Sequence, residues 1–397
     1  MMMFPLCRQR RLRAWRFAVI AACCFGAAQV AAMTVEVETT PAGELFPALE
    51  LSQGERQGVD AGQGNGLLRI RLGDVRMPHD VRLTVSTEGL RHASVIETRI
   101  SGDTVLRPKL DWDTEALLQL RQPRRQTLRV SVSARGMKML EREVQLDVHP
   151  LDEAVYFVRE GDARIDLGWA FAAWVDPQDP VVDHLLELAG IHAEESLPGD
   201  RPARLGLARK LWVALEQRGL RYAEEGAGLS QGPVIYSQRV RLLSDTWNDR
   251  VANCLDGSVL IASVLERLGI GSFLVLVPGH AFVGFYVDGE RREAEFLETT
   301  LLGFRKPPGH DAESAAQVRQ RALPGFEAAR RAGRARYRTV VTKLDGRHRP
   351  DYALIDISTA RAYGIMPLAV GRRGNPASSP VATSTPAVSS RPERRLP

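Results

Sequence analysis

The hydrophobic pattern of this sequence changes near residue 150, and that change limits the fold more than any other feature. Up to that point apolar residues alternate with polar ones in short segments bounded by Gly, Pro, Asp and Ser: LLRIRL, DVRLTVS, SVIETRI, TLRVSVSA and REVQLDVH. Such alternation is typical of strands that bury one face. Several short strands in succession predict an antiparallel β-sandwich domain over residues 33–150. No motif in this region carries chemistry.

Beyond residue 151 the apolar residues recur at helical spacing. The segments PVVDHLLELAGI and ARLGLARKLWVALEQRGL show this spacing, and the second ends at the helix-stop residue Gly219. A short helix capped by Ser244 and a helix that contains NCLDG are predicted next. Strand-like segments follow (FLVLV, AFVGFYV and EAEFLETT), then a basic helix at about 312–333 and a last apolar segment, YALIDIS. Helices followed by an antiparallel sheet predict an α+β domain over residues 151–370.

The two ends of the chain differ in composition from the rest. Residues 1–32 contain five arginines and no acidic residue, and the arginines precede an apolar run that ends in VAA before Met33. This is the pattern of a secretory signal peptide cleaved before Met33. Residues 371–397, rich in Ser, Pro and Arg, cannot form a core, and we expect a disordered tail there.

Two alternatives to a cleaved leader stay open. The segment Ile20–Cys23 (IAAC) resembles a lipobox, so lipid attachment at Cys23 is one alternative, and a retained signal anchor is the other. The apolar run is shorter than the roughly 20 residues that a spanning helix needs. We therefore expect an exported protein with no stable membrane span after the leader is removed.

Net charge gives no indication of a nucleic-acid partner. The whole chain has 53 basic and 48 acidic residues, a net charge of +5, and removing the five leader arginines brings that net charge to zero. Two basic clusters remain, RQPRRQTLR at 121–129 and RRAGRARYR at 330–338. Neither has the aromatic interleaving of a nucleic-acid surface, so both are interpreted as solvated faces.

Cys254 is the only cysteine left once the leader is removed, because the other three are Cys7, Cys23 and Cys24. In an oxidising compartment cysteines normally pair, and Cys254 would have no partner within the chain. A buried inert thiol is one interpretation. The local sequence favours another, since Asn253 is a good N-cap and Asp256 can complete a capping box. Cys254 then lies in the first helical turn, where free N–H groups and the helix dipole favour the thiolate.

His280 and Glu298 follow Cys254 on two successive predicted strands. His280 opens the segment HAFVGFYV, and Glu298 lies in EFLETT. Alternation places Glu298 on the same face as Ala294 and Phe296, where a carboxylate needs a partner such as an imidazole. The same alternation predicts that Glu295 faces solvent.

The order Cys254, His280, Glu298 resembles the transglutaminase-like superfamily, whose fold is papain-like. More closely, QRVRLLSDTWNDRVANCLDGSVLIASVLERLGI with VLVPGHAFVGFYV, LETT and IDISTARAYGIMPL is similar to transglutaminase-like domains of exported bacterial proteins. The resemblance covers about residues 235–366. It implies a periplasmic location for the exported protein. One departure is clear: the superfamily's third residue is usually Asp, and this chain has Glu298.

The resemblance implies a role for each of these residues. Cys254 is the nucleophile, His280 the general base, and Glu298 the carboxylate that orients the imidazole. Gln238 in the QRVR segment is the candidate oxyanion donor. The implied activity is that of a cysteine peptidase or amidase, or of an acyltransferase with an amine acceptor, on a protein or peptide amide.

Two other classes of function are weighed against the enzyme. Because Glu replaces Asp, a catalytically inactive domain that binds peptide or cell-wall material stays open as the alternative. A zinc site is not expected, since the eight histidines are scattered, no CxxC or HExxH motif occurs, and Cys254 with His280 and one carboxylate lacks a fourth ligand. No cofactor is expected either.

Overall fold

The computed structural model describes residues 33–54, 63, 66–192, 200–224, 230–231, 234–303, 314–344 and 352–370. The predicted signal peptide at 1–32 and the predicted disordered tail at 371–397 lie outside the described residues. The described part has mixed helix and sheet content and several antiparallel sheets, as an α+β chain should.

The first part of the chain is mostly strand. Its strands are β1 (Thr34–Glu38), β2 (Glu44–Leu45), β3 (Arg69–Gly73), β4 (His79–Ser86), β5 (Leu90–His92), β6 (Ser94–Ile100), β7 (Thr104–Leu106), β8 (Asp111–Trp112), β9 (Arg124–Ala134) and β10 (Leu140–Val148). Two short helices are α1 (Pro47–Leu51) and α2 (Thr114–Gln119).

These strands form three sheets, in the orders β1-β3-β7, β2-β10-β9-β4-β6 and β5-β8. All the pairings are antiparallel except that of β2 with β10. Each of the five alternating segments contains an observed strand, so the period-two pattern predicted the strands correctly. The sandwich arrangement and the boundary near residue 150 stay predictions.

The second part begins with two strands and a 3-10 helix at Gly168–Trp174, and then alternates helices with strands. Its helices are α3 (Pro180–Ala189), α4 (Arg201–Arg218), α5 (Leu243–Asp249), α6 (Cys254–Arg267), α7 (Ala315–Val340) and α8 (Ile357–Ala362). Its strands are β11 (Glu153–Glu160), β12 (Ala163–Asp166), β13 (Arg221–Tyr222), β14 (Ser230–Gln231), β15 (Ile235–Arg239), β16 (Val251–Ala252), β17 (Ser272–Val277), β18 (His280–Tyr286), β19 (Ala294–Leu297) and β20 (Ala353–Asp356).

One antiparallel sheet, in the order β19-β18-β17-β20, carries the site. Helix α6 packs against β17 and β18, and α7 packs against β19 and α4. Every residue of α6 from Cys254 to Leu265 is buried, which is expected of a helix that is apolar on nearly all sides. The sheet and α6 therefore form the framework on which the candidate site is built.

Two predicted helix features differ in the structure. Helix α5 begins at Leu243 with Leu242 as its N-cap and no side-chain capping bond, so Ser244 lies inside the helix and the predicted cap is wrong. Helix α7 runs to Val340, beyond the predicted end near 333, because Phe326, Ala329 and Tyr337 continue its buried face. Of the helices in the described part, none combines the length and hydrophobicity that a membrane-spanning segment needs.

Candidate active site

Cys254 is the first residue of α6, and its position is fixed by the cap before it. The Asn253 side chain accepts hydrogen bonds from the backbone N–H groups of Leu255 and Asp256 at 2.8 and 2.9 Å. Asp256 returns a bond of 3.0 Å from the Asn253 N–H, so the predicted capping box is confirmed. The thiol therefore lies at the positive end of a helix with only 8% of the residue exposed.

Asp256 also joins the start of α6 to the chain that follows β15. Its second oxygen accepts a 2.9 Å hydrogen bond from the backbone N–H of Arg241. Burial raises the pKa of Asp256, although the two backbone hydrogen bonds and the charge of Arg241 oppose that rise. With both oxygens bonded to backbone in this way, Asp256 acts as a structural cap.

His280 reaches the site because a tight turn reverses the chain between β17 and β18. Val277 pairs with His280 across that turn, and Gly279 adopts a positive φ of +67°, a conformation that favours glycine. His280 Nε2 lies 2.9 Å from Glu298 Oε2. The imidazole also interacts with the Cys254 side chain by hydrogen bonding and charge.

Glu298 follows β19 and caps the 3-10 helix at Thr299–Leu301. Its Oε1 accepts bonds from the backbone N–H and the hydroxyl of Thr300, at 3.3 and 2.9 Å. Its Oε2 accepts from His280 and also from Arg336 Nε, at 2.9 Å. The side chain is only 4% exposed, so four donors satisfy a buried carboxylate, as burial of a charge requires.

These contacts set the charge of the histidine. Burial alone would lower the pKa of His280, but hydrogen bonds to Cys254 and Glu298 and the charges of both outweigh it and raise that pKa to about 9. Burial would raise the pKa of Glu298, but the hydrogen bond and charge of His280, with smaller effects of Thr300 and Arg336, lower it. At neutral pH the imidazole is therefore protonated and the carboxylate ionised.

Helix α6 and the turn that carries Glu298 approach each other closely. Thr299 Oγ1 donates a 2.9 Å hydrogen bond to the carbonyl oxygen of Cys254, which also accepts from Ser258 Oγ at 2.6 Å. A Cβ on Gly257 would lie 3.1 Å from the Thr299 Cβ. Only glycine at position 257 permits this approach without displacing the threonine.

The prediction that Glu295 faces solvent is wrong. Glu295 is fully buried, and its carboxylate pairs with Arg330 at 2.7 Å and with Arg334. Helix α7 packs against the edge strand β19, where Gly333 lets the helix backbone approach that of Phe296, and two of its arginines reach Glu295. The alternation of the strand is correct, but both faces of the strand are covered.

The same contacts correct the interpretation of the cluster RRAGRARYR as a solvated face. Arg330 and Arg334 bind Glu295, and Arg336 binds Glu298. Arg336 was therefore missed as a site residue. The only signal in the sequence was its place in the basic cluster, two residues after Arg334 and six after Arg330. Its acidic partners could not be identified without knowing that α7 packs on β19.

Tyr222 is the second residue that the sequence did not indicate. It lies in β13, which pairs with β16 just before the capping residue Asn253, and its backbone N–H donates to Leu302 after the Glu298 turn. Burial raises the pKa of Tyr222, and the charges of Cys254 and Glu298 raise it further. The backbone of Tyr222 therefore lies between the segment that leads to Cys254 and the turn that follows Glu298.

Gln238, the predicted oxyanion donor, lies half-buried in β15, opposite Ala154 of β11. Its strand leads to Arg241, whose N–H binds Asp256 in the first turn of α6. In the described part of the chain, no hydrogen bond joins the Gln238 side chain to Cys254, His280 or Glu298. Its catalytic role stays a prediction.

The arrangement of Cys254, His280 and Glu298 can perform nucleophilic chemistry at an acyl carbon. A thiol at a helix start, an imidazole in contact with it and a carboxylate on the far side of that imidazole are the three parts needed. Within the described ranges, no group of three or more His, Cys, Asp and Glu side chains is placed to hold a metal ion.

No family model matches this chain, and no curated protein matches it. Among solved structures, the chain is similar to the crystal structure of red sea bream transglutaminase, with 11% sequence identity and a TM-score of 0.20. The similarity covers 73% of this chain and 59% of that chain, so this chain spans less than two thirds of that structure. A TM-score of this size carries no argument about function.

Proposed function

We propose that this protein is an exported thiol enzyme of the transglutaminase-like type that cleaves or transfers amides through an acyl-enzyme. Cys254, His280 and Glu298 form its triad, and protein or peptide amides are its substrates. The observation that carries the proposal is the 2.9 Å contact between His280 Nε2 and Glu298 Oε2, made by an imidazole that also interacts with Cys254.

The first half of the reaction uses the proton that the pair shares. With the proton on His280, the Cys254 thiolate attacks the carbonyl carbon of the amide and a tetrahedral intermediate forms. The imidazolium then gives its proton to the leaving nitrogen, the C–N bond breaks, and an amine departs from a thioester on Cys254. The Leu255 and Asp256 N–H groups are bonded to the Asn253 side chain, so the backbone N–H of Cys254 is the suitable donor to the oxyanion in the first turn of α6.

The second half returns the enzyme to its starting state. Neutral His280 removes a proton from water, or from an acceptor amine, as that nucleophile attacks the thioester. The C–S bond breaks, and the thiolate and imidazolium are restored. Hydrolysis is favoured outside the cytoplasm, where water is in large excess over any amine.

Glu298 is compatible with this mechanism although the related superfamily usually has Asp. The longer side chain still reaches His280 at 2.9 Å, and Thr300 fixes its other oxygen. A carboxylate held in this way keeps the imidazole oriented and stabilises its charge. The geometry of Glu298 therefore favours the enzyme over an inactive binding domain.

Labelling of the purified full-length protein tests the proposal. Iodoacetamide or a peptide epoxide should modify Cys254 at pH 7, as located by peptide mass mapping, and His280→Ala should slow the labelling by about a hundredfold, the lower end of the effect of a general base. His92→Ala is the matched control, because His92 also pairs with a carboxylate, Asp111, but on the exposed surface. If Cys254 is labelled at the same rate in the native and the denatured protein, the proposed enzyme activity is refuted.

A further inference from the structure

Arg336 contacts the candidate triad without being one of its members. It lies on α7, and its Nε donates to the same oxygen, Glu298 Oε2, that is bonded to His280 Nε2, each at 2.9 Å. The guanidinium and the imidazole are therefore neighbours on one carboxylate. The mechanism proposed above makes no use of this guanidinium.

The position of Arg336 is set by contacts on both sides of it along α7. Arg330 and Arg334 hold the helix to the buried Glu295. Tyr337 stacks on Phe296 of β19 with ring centroids 4.1 Å apart. Arg336 is thus presented by an anchored helix, and little entropy remains to be lost when its guanidinium binds a ligand.

The guanidinium also has binding capacity left. Its side chain is 43% exposed, against 4% for Glu298. Its two terminal nitrogens form no hydrogen bond or ion pair with any residue that the structure describes. A guanidinium with a free pair of nitrogens binds a carboxylate through two parallel hydrogen bonds.

The chemistry of the triad indicates which part of a substrate approaches Arg336. His280 protonates the leaving nitrogen, so the amine portion of the amide lies on the His280 side of the site. We propose that Arg336 makes the enzyme selective for amides whose leaving amine carries a carboxylate close to the scissile bond, either an acidic residue or a free α-carboxylate. This inference rests on the proposed function and adds its substrate class.

A matched pair of thiol reagents tests the selectivity without a known substrate. The thiolate displaces iodide from both N-iodoacetylglycine and N-iodoacetylglycinamide as the S–C bond forms and the C–I bond breaks, and both reagents place an amide next to the new bond. Only the first has a carboxylate on the amine side. The ratio of their second-order rate constants at Cys254, measured on the full chain at low salt and located by mass mapping, reports the anion preference.

Arg336→Gln should lower this ratio by about two- to fivefold, the range for a partly exposed ion pair, and Arg336→Lys should lower it less. Arg338→Gln is the matched control, because Arg338 is exposed on the same helix about half a turn away, and it should leave the ratio unchanged. Added salt should reduce the preference of the wild type but not that of Arg336→Gln.

Two results overturn the inference, and they are distinguishable. If Arg336→Gln slows both reagents equally and leaves the ratio unchanged, Arg336 only positions Glu298 and selects nothing. If wild-type Cys254 reacts with both reagents no faster than the denatured protein does, the proposed function itself fails. An urea denaturation curve for each variant shows that the compared proteins are folded.

Discussion

Thr299 donates its hydroxyl to the backbone carbonyl oxygen of Cys254 at 2.9 Å. The residue before it, Glu298, bonds to His280. This buried hydrogen bond therefore links the turn that carries the carboxylate to the helix that carries the thiol, and the imidazole interacts with both side chains.

Thr299→Val should remove the hydrogen bond to the Cys254 carbonyl while preserving the shape of the side chain. The Cys254 carbonyl keeps its bond from Ser258, so the expected loss in the free energy of unfolding is modest, about 1 kcal/mol. The rate of Cys254 labelling should fall more than that loss suggests, because the Glu298 turn is released. Urea denaturation and iodoacetamide labelling measure the two effects, and Thr299→Ser, which keeps the hydroxyl, should restore the labelling rate.

Gly257→Ala tests the close approach of α6 to the same threonine. The new methyl group would lie 3.1 Å from the Thr299 Cβ, and Thr299 is buried and hydrogen-bonded, so it cannot move away freely. Overpacking of this kind costs about 1–3 kcal/mol, against a gain in helix propensity of up to about 1 kcal/mol. We expect a net loss of stability and slower labelling of Cys254.

Gly206→Ala is the control for that substitution. Gly206 lies inside α4, and a Cβ there would meet nothing within 4 Å. Only the propensity gain remains, so this variant should be more stable by up to about 1 kcal/mol. Equal stabilisation by the two alanines in thermal or urea unfolding would show that the Thr299 contact is not tight.

Local patterns in the sequence were sufficient to identify the elements that carry the site. The residues of the capping box, Asn253 and Asp256, lie within four positions, so their bonds are decided locally. The turn before His280 is likewise fixed by Pro278 and Gly279. For this reason the sequence placed Cys254 at a helix start and His280 at a strand start, as the structure has them.

Contacts between segments that are distant in the sequence could not be predicted from local patterns. Arg336 follows Glu298 by 38 positions, and Arg334 follows Glu295 by 39. Alternation in β19 shows that Glu295 and Glu298 lie on opposite faces, but it cannot show that a helix covers the face of Glu295. The basic cluster therefore resembled a solvated surface until the packing of α7 on β19 was known.

Glu298→Gln should lower the pKa of His280 from about 9 towards the ordinary value of 6.5. The hydrogen bond and charge of Glu298 raise that pKa, and a neutral amide removes the charge while burial continues to oppose protonation. Imidazole resonances followed by NMR against pH should show the lower midpoint.

The raised pKa of His280 in the wild type also predicts how the stability of the protein depends on pH. Because the pKa of His280 is higher in the folded than in the unfolded chain, its contribution to stability is complete below about pH 6.5 and is lost as the pH rises through about 9. The stability difference between the wild type and His280→Ala should therefore shrink over that interval. A difference that stays constant from pH 6 to pH 10 would contradict the assigned charge state.

Glu295→Gln should lower the free energy of unfolding more than most single substitutions outside the candidate triad. Glu295 is 0% exposed, and its loss of charge would leave Arg334 without its acidic partner and Arg330 with Glu327 alone. Removing one member of a buried ion pair costs about 3–5 kcal/mol, and we expect about 3 kcal/mol here because Arg334 keeps contact with solvent. Helix α7 should loosen and Arg336 should move from Glu298, so labelling of Cys254 should slow. Glu293→Gln, at an exposed partner of Arg201 two residues earlier, should change neither stability nor labelling. Equal effects of the two substitutions in urea denaturation would show that Glu295 does not anchor α7.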